Sequence, residues 1–135
     1  MYKSLVVVLG SAALLAGASV RASQAETEPS GAALFTSAQA AAGGKTYAAS
    51  CSKCHGANLE GVSAPALRGA GSGLAGTSVG DAFTFISTQM PAGNPGSLSN
   101  TEYANVVAYI LSRNGHAAGP TSLTAVSAKA SKVKV

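Results

Sequence analysis

The sequence has no tryptophan, and aromatic residues make up only 5% of its 135 positions. A large aromatic core is therefore excluded. Only two cysteines are present, Cys51 and Cys54, so neither a disulfide framework nor a four-cysteine zinc site can form within the chain. Neither lies near the start, which excludes a bacterial lipoprotein anchor. Charged residues are scarce at 10%, and no internal repeat or strand-like alternation of useful length is visible. Histidines number two, His55 and His116, and methionines two, Met1 and Met90.

The beginning of the chain reads as an export signal over residues 1–22. Lys3 gives it a positive start, Leu5 to Val20 is uncharged and apolar, and Arg21 closes the run. Cleavage after Ala22 or Ala25 fits a small-x-small pattern. The apolar run falls short of the ~20 residues a membrane span requires, so no stable membrane insertion is expected after cleavage. Loss of Lys3 and Arg21 lowers the net charge from +4 to +2. The high isoelectric point is thus no argument for nucleic acid or membrane binding. About 110 residues remain, enough for one small domain.

The two cysteines fall in Cys51-Ser52-Lys53-Cys54-His55, the C-x-x-C-H pattern of covalent c-type haem attachment. Two thiols match the two vinyl groups that form thioethers, and His55 is placed to bind iron through a neutral imidazole nitrogen. Competing readings are weaker. A structural zinc ion needs four ligands, and only His116 is left to join these three. A thioredoxin-like motif wants a βαβ setting, whereas the flanks here are rich in Ala and Gly. A plain disulfide leaves His55 unexplained.

Three helices are predicted, making an all-α fold. The first runs from Ser37 to Ser50 and ends as the haem motif begins. Gly43-Gly44 within it costs roughly 1 kcal/mol per glycine, which predicts close passage of another backbone. The second runs from Val79 to Gln89, with Ser78 and Asp81 as an N-terminal cap and Pro91 as the stop. The third opens on the capping box Ser99-Asn100-Thr101-Glu102 and carries Tyr103, Val106, Val107 and Ile110 as an apolar stripe. Asn114-Gly115 ends it. Residues 23–37 read as a flexible arm, 38–115 as the domain, and 116–135 as a basic low-complexity tail with no pattern beyond Leu123 and Val126, partly docked on the domain or on a partner. The glycine-rich stretch from His55 to Ser78 reads as an irregular wrap against a flat cofactor.

With Met1 lost to the signal, Met90 is the one thioether left, held before Pro91 in a Pro- and Gly-rich loop. It is the expected second iron ligand, with His116 the rival. His/Met ligation leaves no open site on iron, which favours electron transfer over haem enzyme chemistry or gas sensing. His55 needs an acceptor for its other ring N–H, and the carbonyl of Pro65 is the candidate, with Leu67 near the ring. Arg68 is a candidate propionate partner.

On these residues the chain resembles the class I c-type cytochromes over about Ala38 to Gly115. The resemblance rests on Gly43-Gly44 and Tyr47 before the haem motif, then Pro65-Ala66-Leu67, Met90-Pro91 and Val107-Ala108-Tyr109-Ile110. It implies a small helical domain around one covalent haem c, with Cys51, Cys54, His55, Pro65, Leu67 and Met90 about the cofactor. It also implies first and last helices crossing at the glycine pair. The expected activity is electron carriage, not catalysis, in a bacterial periplasm, with a dehydrogenase as donor and an oxidase or another cytochrome as acceptor. The stretch from Met90 to Gly115 is similar to haem modules serving quinoprotein dehydrogenases. A small subunit of such a complex is therefore the alternative.

Overall fold

A computed structural model describes residues 33–135, so the expected export signal and the first part of the arm lie outside the described residues. Five helices follow in order: α1 Ser37–Ser50, α2 Ser52–His55, α3 Val79–Gln89, α4 Asn100–Arg113 and α5 Ala125–Ala130. The only β pairing among the described residues is an isolated bridge between Ser78 and Lys134. None of the described helices is long and apolar enough to cross a membrane.

Side-chain caps set where the helices start. Thr36 accepts from the Gln39 N–H to open α1, and Ser78 accepts from the Asp81 N–H to open α3. At α4 the box is reciprocal: Ser99 receives the Glu102 N–H, and the Glu102 carboxylate receives the Ser99 N–H at 2.8 Å. The Ser99 N–H, together with the Ser99 hydroxyl at 2.8 Å, holds the Glu102 carboxyl below its ordinary value. The helix ends in a Schellman motif. Gly115, at φ +90°, donates to Ser112, and His116 donates back to Leu111.

The frame of the molecule is the α1–α4 pair, the most extensive helix contact. Gly43 and Gly44 sit at the contact, as their helix cost predicts. Opposite them lie Tyr109, which stands beside the apolar stripe in the sequence, and Asn105, which is not part of it. A Cβ on Gly43 would run into the backbone carbonyl of Asn105 and lie 3.0 Å from Tyr109 Cβ. One on Gly44 would lie 3.3 Å from the Tyr109 ring. Val106 and Ile110 are instead buried in the single core, together with Tyr47, Leu59, Phe83 and Leu111. Asn105 and Tyr109 form their own i, i+4 row, which is why the closest approach falls there.

Both ends of the described chain join this core. Phe35, at the end of the expected flexible arm, is 1% exposed. The expected tail is ordered. Gln39 holds Leu123 through two side-chain hydrogen bonds, Leu123 and Ala128 are buried, and α5 packs on α3 and α4. Val126 stays 81% exposed. Beyond α5, the carbonyls of Val133 and Ser131 accept from the N–H groups of Val79 and Gly80, at 2.8 and 3.1 Å. Those donors lack partners within α3, so the end of the chain supplies them.

Candidate functional site

The C-x-x-C-H residues fold as the one-turn helix α2. Cys51 closes α1, donating its N–H to Tyr47, and its own carbonyl receives the N–H groups of Cys54 and His55. Both cysteines are free thiols, Cys51 half-buried and Cys54 exposed. Burial pushes the Cys51 thiol up to about 11. An attacking cysteine of a redox-active dithiol is shifted the other way, so the thioredoxin-like reading loses ground. Among the described residues no cluster of three or more His, Cys, Asp or Glu side chains is arranged for a metal ion.

After His55 the chain turns sharply on Gly56. The Cys54 carbonyl then gathers three N–H groups, from Val62, Ser63 and Ala64, at 3.0 to 3.1 Å. Leu67 donates to Leu59, and Gly73 to Ala66. The glycine-rich stretch is thus a folded loop closed by its own backbone, anchored by buried Leu59 and Leu74. This path carries Pro65 to His55, with the Pro65 carbonyl oxygen 2.7 Å from His55 Nδ1. A carbonyl can only accept, so Nδ1 carries the proton and donates it, leaving the lone pair on Nε2. Leu67 packs half-buried at the margin of the core, and Arg68 is exposed.

Met90 comes from a different element. It is the C-cap of α3, in extended conformation, and donates its N–H to Ile86. Its side chain also packs half-buried against the core, as Cys51 and Leu67 do. Its carbonyl oxygen accepts from the buried Tyr103 hydroxyl at 2.6 Å and from the Gly96 N–H at 3.3 Å. Tyr103 therefore ties the Met90 loop to α4. In the sequence it is only one member of an apolar stripe. His116, the rival ligand, lies in the turn that ends α4, with its backbone N–H bound to Leu111.

Tyr47 plays the matching part on the His55 side. Its ring lies against Tyr109, with centroids 5.2 Å apart, and its hydroxyl donates to the Gly56 carbonyl at 2.7 Å. Burial pushes its phenol up to about 12, with Cys51, Tyr109 and Glu60 nearby adding to the rise. Such a hydroxyl stays a donor throughout the ordinary pH range.

The donor set fits a covalent haem: two free thiols separated by two residues, an adjacent imidazole with its tautomer fixed, and a thioether at the edge of the same core. Comparison with known proteins agrees. Residues 38–110 match the family model described as "Cytochrome C oxidase, cbb3-type, subunit III", and the chain belongs to that family. It is a class I c-type cytochrome module, an electron-transfer class of protein. Among solved structures it is similar to the "Sulfane Dehydrogenase SoxCD from Paracoccus pantotrophus", with a TM-score of 0.56 and 23% identity. The match covers 67% of this chain and 51% of that one, so this chain corresponds to about half of the solved chain. No curated protein matches.

Proposed function

We propose that the mature chain is an exported, single-haem electron carrier of the bacterial periplasm, passing one electron at a time between redox proteins. In this reading Cys51 and Cys54 would hold the haem through thioethers, and His55 Nε2 and the Met90 sulfur would be the atoms that bind its iron. Bound in this way, the haem would supply a one-electron iron couple. The protein's part is to hold and orient. Pro65 fixes the His55 ring, Tyr47 fixes the turn after it, and Tyr103 fixes the loop that presents Met90. The observation that carries the reading is the 2.7 Å contact from His55 Nδ1 to the Pro65 carbonyl. Within a C-x-x-C-H helix it leaves the one nitrogen that can bind iron unencumbered, and it raises that nitrogen's basicity.

The test is mass spectrometry of the mature, denatured protein from a host with haem-attachment machinery. One covalently retained haem and a mature start at residue 23 or 26 are expected. A bare polypeptide mass refutes the assignment. Met90→Ala is expected to keep the haem, lose the sulfur-to-iron charge-transfer band and admit cyanide or carbon monoxide. Retention of that band refutes Met90 as the ligand.

A second reading, a small cytochrome subunit of a periplasmic dehydrogenase complex, draws support from the end of the chain. Lys129, Lys132 and Lys134 are all exposed on a segment that is ordered, beside exposed Val126. Stable co-purification with a larger catalytic chain is the outcome that favours it.

A further inference from the structure

We propose that Asn114 is a positioning residue for His55, acting through the loop from Pro65 to Gly69. The proposal rests on the reading of His55 as an axial ligand.

In the sequence Asn114 belongs to a helix stop. In the structure the stop does not need its side chain. Gly115, with φ +90°, and the backbone bonds of Gly115 and His116 to Ser112 and Leu111 end α4 by themselves. The Asn114 side chain spends its bonding elsewhere. Nδ2 donates to the Leu67 carbonyl and to the Ile110 carbonyl, both at 2.9 Å, and Oδ1 accepts the Gly69 N–H at 3.0 Å. The amide orientation is fixed by this set: turned over, its oxygen would face two carbonyls and its NH2 would face an N–H. One side chain therefore clamps the loop on both sides of Arg68, from more than forty positions away in the sequence.

The clamp matters because of what lies two residues earlier. Proline has no N–H, so Pro65 cannot be tied down by a donor of its own. The direction of its carbonyl depends on how the following residues are held. Leu67 is held by its N–H to Leu59 and by its carbonyl to Asn114, and Gly69 by its N–H to Asn114. The chain of constraint runs from the end of α4 through Leu67 and Gly69 to the Pro65 carbonyl and the His55 ring. Asn114 lies outside the span 38–110 that the family model matches.

The experiment compares Asn114→Ala and Asn114→Asp with Gly115→Ala in the haem-loaded protein. Gly115→Ala strains the same helix end, and its new Cβ meets nothing within 4 Å. The readouts are solvent exchange of the His55 Nδ1 proton, by NMR of the reduced protein, and the midpoint potential. The Asn114 variants are expected to exchange that proton roughly tenfold faster than wild type, the equivalent of about 1.4 kcal/mol of lost hydrogen bonding, and to shift the potential. Gly115→Ala is expected to change neither, although it lowers the melting temperature. Should Asn114→Ala not fold, Asn114→Asp is read the same way, since it keeps the acceptor for Gly69 and loses the donor to Leu67. Exchange no faster in the Asn114 variants than in Gly115→Ala overturns the proposal and leaves Asn114 a helix cap. Absence of covalent haem by mass sinks instead the ligand reading beneath it.

Discussion

Alanine at Gly43 and alanine at Gly44 are expected to have opposite effects on stability. Both remove a helix-interior glycine, and each gains about 1 kcal/mol of helix propensity. What the new methyl meets differs. At Gly43 it collides with the Asn105 carbonyl, which is backbone inside α4, and lies 3.0 Å from Tyr109 Cβ. No rotamer change relieves a clash with backbone, so α1 and α4 must move apart over their whole contact. Overpacking of this kind costs about 1–3 kcal/mol, with the upper end expected where backbone is the obstacle. The net effect of Gly43→Ala is a loss of about 1–2 kcal/mol. At Gly44 the methyl lies 3.3 Å from the edge of the Tyr109 ring, a side chain that can shift by a few tenths of an ångström. Gly44→Ala is then neutral or stabilising by up to about 1 kcal/mol. In a domain of this size 1 kcal/mol corresponds to roughly 4–8 °C in melting temperature. Thermal unfolding followed by circular dichroism, with haem content held equal, separates the two variants by the resulting difference of about 1–3 kcal/mol, or roughly 4–24 °C. Equal shifts, or a Gly43→Ala protein as stable as wild type, would refute the argument that α4 backbone sets the need for glycine at 43.

Two further outcomes test the clamps on either side of the site. Tyr47→Phe removes the shorter of two bonds to the buried Gly56 carbonyl, leaving it the Leu59 N–H at 3.2 Å, and is expected to cost about 0.5–1.5 kcal/mol at neutral pH. Because burial pushes the folded phenol up to about 12 from its ordinary value of 10.0, the native state holds its proton longer. Stability from this group is therefore complete below pH 10 and falls as pH rises from about 10 to about 12. Denaturant titrations across that window should show a shallower decline in Tyr47→Phe, and an identical slope would contradict the assignment. Tyr103→Phe removes the donor to the Met90 carbonyl while keeping the ring in the core. It is expected to cost about 1 kcal/mol in stability and to make the Met90 sulfur easier to displace by exogenous ligands. Cyanide affinity of the oxidised protein measures this, and an affinity equal to wild type would show that the loop holds itself.

Much of the frame is legible in the sequence because its signals are local. Ser78 and Pro91 give α3 the bounds the structure has, the haem motif ends α1, and the box at Ser99 starts α4. The interval from His55 to Pro65 is likewise short enough for one loop to close. The rest depends on contacts that sequence spacing does not encode. Nothing in a stripe of apolar residues says that the Tyr103 hydroxyl reaches Met90, or that Asn114 reaches past its own helix to Leu67 and Gly69. The segment 116–135 was hidden for a different reason. It docks through backbone carbonyls of Ser131 and Val133 onto the open end of α3, and carbonyls leave no residue-type pattern. One signal was available there. Thr124 and Ser127 form a reciprocal capping box that opens α5. The loop from Gly56 to Ser78 is similar: its order lies in backbone bonds gathered on Cys54 and in two buried leucines.

The clamps also explain how a domain with so few aromatics can hold its candidate ligands in place. His55 ends the short helix α2 and Met90 caps α3, and the irregular chain beside each is tied to the α1–α4 pair by a side chain that bonds to backbone. Tyr47 of α1 holds the turn after His55, Asn114 at the end of α4 holds the loop that carries Pro65, and Tyr103 near the start of α4 holds Met90. The last two lie on one helix and its cap, eleven residues apart in the sequence, or roughly 16 Å along the axis at 1.5 Å per residue. The helix α4 thus works as a ruler between the two loops that flank the site. A ruler serves only if its own position is fixed, and the contact that fixes it is the one at Gly43, where the α1 backbone meets the Asn105 carbonyl. Asn105 lies between Tyr103 and Asn114, so a displacement there moves both clamps together. Gly43, costly within its own helix, is therefore the position on which the geometry of both candidate ligands depends.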